Sequence, residues 1–401
     1  MQKILLFIAS LFYFNFLFSK NEIKSWQGIH ETPLSRLEQQ FAEPPVEFAN
    51  HVIWGWEGKM DKKTICNDLD SIKKKGFRAV IFEAGYKLPF KYLSEEWFKA
   101  IRTGVLEAKK RGMKVWIIDE GKYPSGFAGG KFSQERPDLR MQALVIGDTI
   151  QIKRGEVMTN HKIAPEIISA VAVSTSGAPN RTVAINNGEI SFNAGLDDWK
   201  VLLVKSDFRT AVTRAVNNPN GGKDATNSLC DYLNPVAVQQ FIDWTHKQYK
   251  KYLGKELGTT VLGFRGDEPD YAHLPWTPSI VQTFKDTKGY DPTPYLASFF
   301  TASPTIQEQR VKADYWDVWS SLFATHFFKL QADWCAANGV AHITHLNKEH
   351  EMPACVKAEG DYFRALSKVQ IPGVDAIWNQ IWPSTLNDFP KLASSVAHVY
   401  G

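Results

Sequence analysis

The chain has 401 residues, 44% of them hydrophobic and 22% charged, and 47 Lys and Arg against 43 Asp and Glu leave a formal net charge of +4. That profile excludes an intrinsically disordered chain and allows one large domain or two ordinary ones. No Lys/Arg block dominates any segment, so nucleic acid is not an expected partner.

Met1 to Lys3 is a short basic start, and Ile4 to Phe18 is almost wholly apolar, broken only by Ser10 and Asn15. Leu17 and Ser19 fit the −3 and −1 positions of a cleavage site, so residues 1–19 are predicted to be a secretory signal peptide. The apolar run is short of the roughly 20 residues a membrane helix needs. The expected location is therefore secreted or periplasmic, in a bacterium, with no membrane span after signal cleavage. The four cysteines, Cys66, Cys230, Cys335 and Cys355, are isolated. Buried free thiols are expected rather than disulfides.

Residues 20–46 form a lead-in containing Pro44-Pro45, and a domain is expected over residues 47–401. A β, α, β rhythm opens it. Asn50–Trp56 reads as a strand, Lys62–Lys75 as a helix with Ile65, Leu69 and Ile72 on one face, and Phe77–Glu83 as a buried strand. Ser94 caps a second helix carrying Trp97, Ile101, Val105 and Ala108, and Met113–Ile118 is a third strand. Strands joined by helices imply a parallel sheet. Residues 141–212 are short, polar and β-rich, and read as an insertion after the third strand. The βα rhythm then resumes: a helix from Asn234 and Pro235 to Leu253, a fourth strand at Thr260–Arg265 and a long helical stretch from Thr305 to Asn338. A fifth strand is expected at Ala341–Leu346, a sixth at Val356–Glu359 and a seventh at Val374–Trp378, followed by a helix from Phe389.

Seven such strands predict an α/β fold, a (β/α)8 TIM-barrel-like catalytic domain incomplete at its C-terminus, with the β-rich insertion inside it. The alternative is an open doubly wound sheet, which a Gly-rich phosphate loop after the first strand would favour; that loop is missing from the sequence. In a barrel, function gathers at the C-terminal ends of the strands. Those positions carry Trp54 and Trp56, Glu83, then Asp119, Glu120 and Tyr123, then Asp267 and Glu268, then His345, Asn347, Glu349 and Glu351, then Glu359 and Asp361, and last Asp375, Trp378 and Asn379. Acids with aromatics at successive strand ends suit glycoside hydrolysis, which needs one protonated and one ionised carboxyl, while rings hold the sugar. The 13 Trp are consistent with that use and equally with core filling.

The sharpest block is Arg265-Gly266-Asp267-Glu268-Pro269, where a strand runs into two acids and a turn. Glu268 is the expected catalytic carboxyl, with Asp267 as a partner orienting an Arg or a bound ion. For the second carboxyl Glu359 is favoured over Glu351, and a salt-bridged structural acid is the competing reading of either. The Asp119-Glu120-Gly121-Lys122-Tyr123-Pro124-Ser125-Gly126 loop is expected to line the site, and its acids could supply oxygen ligands to Ca2+. The sequence requires no cofactor.

Trp54-Gly-Trp56, the loop from Asp119 to Gly130, the Arg265–Pro269 block, Ala358-Glu-Gly-Asp-Tyr-Phe-Arg364 and Ile371-Pro-Gly-Val-Asp-Ala-Ile-Trp378 together resemble glycoside hydrolase family 106, the α-L-rhamnosidases, over roughly residues 46–401. The resemblance implies a (β/α)8 domain, inversion at the anomeric carbon, a calcium site, and a rhamnose-containing oligo- or polysaccharide as substrate. It also implies Glu268 as general acid and Glu359 as general base, an assignment open to exchange. Family members are longer, with β-sandwich domains after the barrel, so this chain is expected to be part of a longer protein. Alternatives are a galactosidase-like hydrolase on a related barrel and a non-catalytic carbohydrate-binding fragment.

Overall fold

The computed structural model describes residues 33–43, 50–210, 213–214, 223–224, 228–271, 274–377, 380–381 and 388–400. The expected signal peptide and most of the lead-in lie outside the described residues. The chain divides into two units, residues 1–50 and 51–401. Within the first, Leu34–Ala42 is a helix with no buried side chain.

The second unit is built on a six-stranded parallel sheet. Its strands are β1 (His51–Trp56), β2 (Ala79–Ala84), β3 (Lys114–Ile118), β4 (Val261–Arg265), β5 (Ala341–Thr344) and β6 (Ile371–Pro372). They lie side by side in chain order. Sequential order without reversal is the pattern of a (β/α) barrel wall and has no switch point, which removes the doubly wound alternative. Among the described residues the sheet has six strands, and ring closure to eight is not seen.

Local signals explain the elements. Asp61 accepts the Thr64 N–H at 2.9 Å and caps the helix Lys62–Lys74. Ser94 caps Glu95–Lys110 in the same way. Gly76 and Gly112, both at positive φ, end these helices. Ile65, Leu69, Trp97, Ile101 and Val105 lock the two helices onto the sheet in a core with Trp56, Phe82 and Phe264. The expected helix from Pro235 to Leu253 is broken at Thr245, giving Pro235–Trp244 and His246–Leu253. The long stretch after Thr305 is Ile306–Leu322, a π-helical turn at Phe323–Phe328 and Lys329–Ala337, opened by a capping box between Thr305 and Glu308.

Two expected strands are corrected. Val356–Glu359 belongs to a helix, Met352–Glu359, with Pro353 in its first turn and Gly360 at φ 76° ending it. A four-residue apolar-polar run had no period long enough to tell strand from helix turn. Val374–Ile377 is irregular, and the strand lies just before it at Ile371–Pro372. Trp378 is outside the described residues.

Between β3 and β4 the chain forms antiparallel sheets. Gln142–Ile152, Trp199–Phe208, Ile167–Ser174 and Arg181–Thr182 join Pro275–Trp276 in a five-stranded sheet, and Val157–Lys162, Glu189–Asn193 and Ile185–Asn186 make a three-stranded one. Ile152, Ala172, Ile190, Phe192 and Trp199 pack in a separate core there.

Candidate active site

Side chains alternate across a strand, and this decides what β1 and β2 offer. Trp54 and Trp56 pack edge-on to one another, and both contact Phe82 in the core that faces the helices. Trp56 is fully buried. The expectation that these rings hold sugar is therefore corrected: the residues on the opposite face are Gly55 and Glu83. Glu83 forms an ion pair of 2.8 Å with Lys122, whose ammonium also lies over the Tyr86 ring at 4.9 Å.

The loop after β3 is built by its own acids. Glu120 is buried and accepts the N–H groups of Gly121 at 2.7 Å, Gly129 at 3.0 Å and Ala128. Burial pushes its carboxyl up to about 8 despite those donors. Its expected contact with substrate is corrected to a clamp on the glycine-rich loop. Asp119 is also buried and accepts from Ser125 Oγ at 2.7 Å. Burial raises it to about 7. Asp119 Oδ2 has no hydrogen-bond partner among the described residues, but with Glu120 spent on the loop the two acids do not by themselves make an oxygen cage for calcium.

The loop after β4 carries the densest chemistry. The Asp267 N–H donates to Ser125 Oγ at 2.7 Å and the Ser125 N–H to Asp267 O at 2.8 Å, tying this loop to the previous one. Glu268 has φ 38°, a backbone region that side chains with a Cβ rarely adopt. The resulting turn faces the end of β5, where His345 Nε2 lies 3.5 Å from Glu268 Oε1, 3.6 Å from Asp267 Oδ1 and 3.6 Å from Asp375 Oδ2. Burial alone would lower the affinity of His345 for a proton, but the nearby carboxylates of Glu268, Asp267 and Glu349 raise it overall. The donor atoms of Glu268, His345 and Asp375 all lie within 4.8 Å of one another. This set contains an imidazole nitrogen, whereas calcium favours oxygen ligands throughout. The calcium expectation thus finds no fitting oxygen cage among the described residues, and no step is assigned to that ion.

Glu359, the last residue of its helix, is fully buried. Its Oε1 accepts the Asn347 N–H at 3.0 Å, and its Oε2 has no hydrogen-bond partner among the described residues. Burial, reinforced by the charges of Asp270, Glu268 and Glu349, holds the carboxyl well above the usual range. The Asn347 side chain donates to Asp270 Oδ2 at 3.0 Å and Tyr123 Oη at 3.2 Å, and the Tyr123 hydroxyl donates to Asp270 at 3.3 Å. Glu349 is buried, accepts the Leu346 N–H at 2.9 Å and the Asp375 N–H, and is raised to about 7 by burial.

The structure thus brings together Tyr123, Asp267, Glu268, His345, Asn347 and Glu359, with Asp119 beneath them and Glu83 on the neighbouring strand. Two further candidates are corrected. Glu351 is exposed at the start of the helix Met352–Glu359. Asp361 is an exposed helix cap, accepting the Arg364 N–H at 2.9 Å. Asp270 joined the site unannounced; its sequence signal was an acid just beyond the Asp-Glu-Pro turn. Asp375 came in through the backbone run after β6.

The family model described as α-L-rhamnosidase, glycoside hydrolase family 106, matches residues 160–401. A Formosa agariphila protein whose name provisionally makes it a β-glucuronidase is 23% identical, covering 92% of this chain and 34% of its own length. A rhamnosidase structure from Novosphingobium sp. PP1Y superposes with a TM-score of 0.67 at 15% identity, over 92% of this chain and 52% of the other. This chain therefore shares the rhamnosidase fold and spans about a third to a half of the length of these relatives.

Proposed function

The chain belongs to glycoside hydrolase family 106, the α-L-rhamnosidases, and from that premise we propose that it forms the catalytic part of a secreted exo-hydrolase releasing terminal α-L-rhamnose. The observation that carries this reading is the state of Glu359. A carboxyl that is buried, kept protonated by its surroundings and left with one unpartnered oxygen is equipped to give a proton to a leaving glycosidic oxygen. Glu268 is half-buried in the same cluster, its Oε1 3.5 Å from His345 Nε2.

In the proposed reaction Glu359 protonates the glycosidic oxygen as the bond to the anomeric carbon breaks. Glu268 takes a proton from the water whose oxygen forms the new bond to that carbon. The products are rhamnose of inverted configuration and the free alcohol. The surroundings of Glu359 thus favour exchanging the roles that the family resemblance suggested.

The test is a panel of aryl glycosides with proton NMR of the first sugar formed. Release from the α-L-rhamnoside with inversion is expected, and Glu268→Gln should lower kcat by about 100- to 10,000-fold on every substrate. The name of the Formosa relative makes a β-D-glucuronide the comparison to include. Hydrolysis of that substrate alone would replace the rhamnosidase reading, and sugar binding without turnover at any pH would leave a carbohydrate-binding protein.

A further inference from the structure

Asp270 is half-buried, with no Lys or Arg within salt-bridge distance among the described residues. Its Oδ2 instead collects two neutral donors, Asn347 Nδ2 at 3.0 Å and the Tyr123 hydroxyl at 3.3 Å. Asn347 is thereby held at both ends, since its main-chain N–H is the donor to Glu359 Oε1 at 3.0 Å. The next residue, Lys348, has φ 57°, so the chain turns sharply as soon as Asn347 has delivered that N–H. Three separate loops, after β3, β4 and β5, converge on this bracket. Among the described residues the one hydrogen bond to the Glu359 carboxyl passes through it, so the direction of the unpartnered Oε2 depends on where the Asn347 peptide sits.

We propose that Asp270 is a positioning residue for Glu359: it anchors the Asn347 side chain, and Asn347 in turn fixes the peptide N–H that aims the Glu359 carboxyl. This rests on the reading of Glu359 as the proton donor. Asp270 itself need not touch the substrate. A proton donor that is misaimed by even an ångström loses most where the leaving group depends on protonation, and least where the leaving group departs unaided.

The experiment uses the intact protein and two substrates of the sugar that the glycoside panel identifies, one with a 4-nitrophenyl and one with a phenyl leaving group. Asp270→Ala is expected to lower kcat about 10- to 100-fold on the phenyl glycoside and less than about 3-fold on the nitrophenyl one, with KM little changed. Asp270→Asn, whose amide oxygen can still accept from Asn347, should restore most of the loss. A merely structural residue would lower kcat equally on both substrates, and that result overturns the proposal. Asn347→Ala is read in the same way should Asp270→Ala fail to fold; a raised KM on both substrates would instead make Asn347 a sugar contact and equally overturn it. Glu359→Gln separates the two layers. If it lacks the leaving-group dependence, the proton-donor reading falls; if it has the dependence and Asp270→Ala does not, only the positioning role falls.

Discussion

Glu120 and Glu359 are both buried carboxyls whose protons are held by burial, and their partners separate them. Glu120 spends its oxygens on three backbone N–H groups of one loop. Glu359 has one N–H and one oxygen to spare. The first is therefore a clamp, and in the proposed reaction the second is the reagent, although the two look alike in the sequence. Removing the clamp strands three donors, each costing about 1–3 kcal/mol if left unpaired in the interior. Glu120→Ala should accordingly lower the melting temperature by several degrees in a calorimetric scan and take activity down with it. Glu359→Gln should leave the melting temperature nearly unmoved while activity on the phenyl glycoside collapses. A Glu120→Ala variant that melts like the parent would show that the loop holds its shape without the clamp.

The elements that were legible in the sequence are those with long, regular signals. The helices at Lys62 and Glu95 announce themselves through an Asp or Ser cap, a one-sided apolar stripe and a closing glycine, and β1 to β4 through compact apolar runs between them. Acids at the strand ends marked the candidate site for the same reason, because parallel strands in sequential order deliver their C-terminal ends to one rim. What a strand run does not reveal is which face is which, and so Trp54 and Trp56 were read as sugar platforms when alternation turns them toward the helices. The short Val356–Glu359 segment failed differently, since four residues hold barely one helical turn. Gly360 was the missed clue there. Its φ of 76° and ψ of −140° suit glycine, and an added Cβ would lie 2.5 Å from Ser320 Oγ. Gly360→Ala should cost on the order of 1–3 kcal/mol and shift the helix end that carries Glu359. Thermal unfolding together with kcat checks this, and a variant with native stability and native kcat would count against the packing of that corner.

At the scale of the whole molecule, buried acids in and beyond the candidate site hold protons. Burial raises Asp119 and Asp231 to about 7 and Glu120 to about 8. In the unfolded chain such groups titrate near 4. Between pH 6.5 and 8 the unfolded state has released these protons while the folded state still holds part of them, so the folded state binds more protons and stability must fall as pH rises. The buried histidines divide: His345, raised, adds to the decline. Burial lowers His342 to about 3 and drives His246 further down, so near pH 6.5, where the unfolded imidazole is still partly protonated, these two oppose the decline, and their opposition fades as pH rises toward 8. Glu107, held down to about 2 by Lys110 and Arg111, gives way only in acid. The melting temperature should therefore decline steadily from pH 6.5 to 8. Asp231 accepts from Thr277 Oγ1 at 2.7 Å and the Leu233 N–H at 3.1 Å and from none of the candidate site residues, which makes it the group to remove. Asp231→Asn should flatten the lower half of that decline by up to about 1.4 kcal/mol per pH unit. A melting temperature that stays level across the window, in parent and variant alike, would mean that the buried acids ionise freely and that Glu359 has no special hold on its proton either.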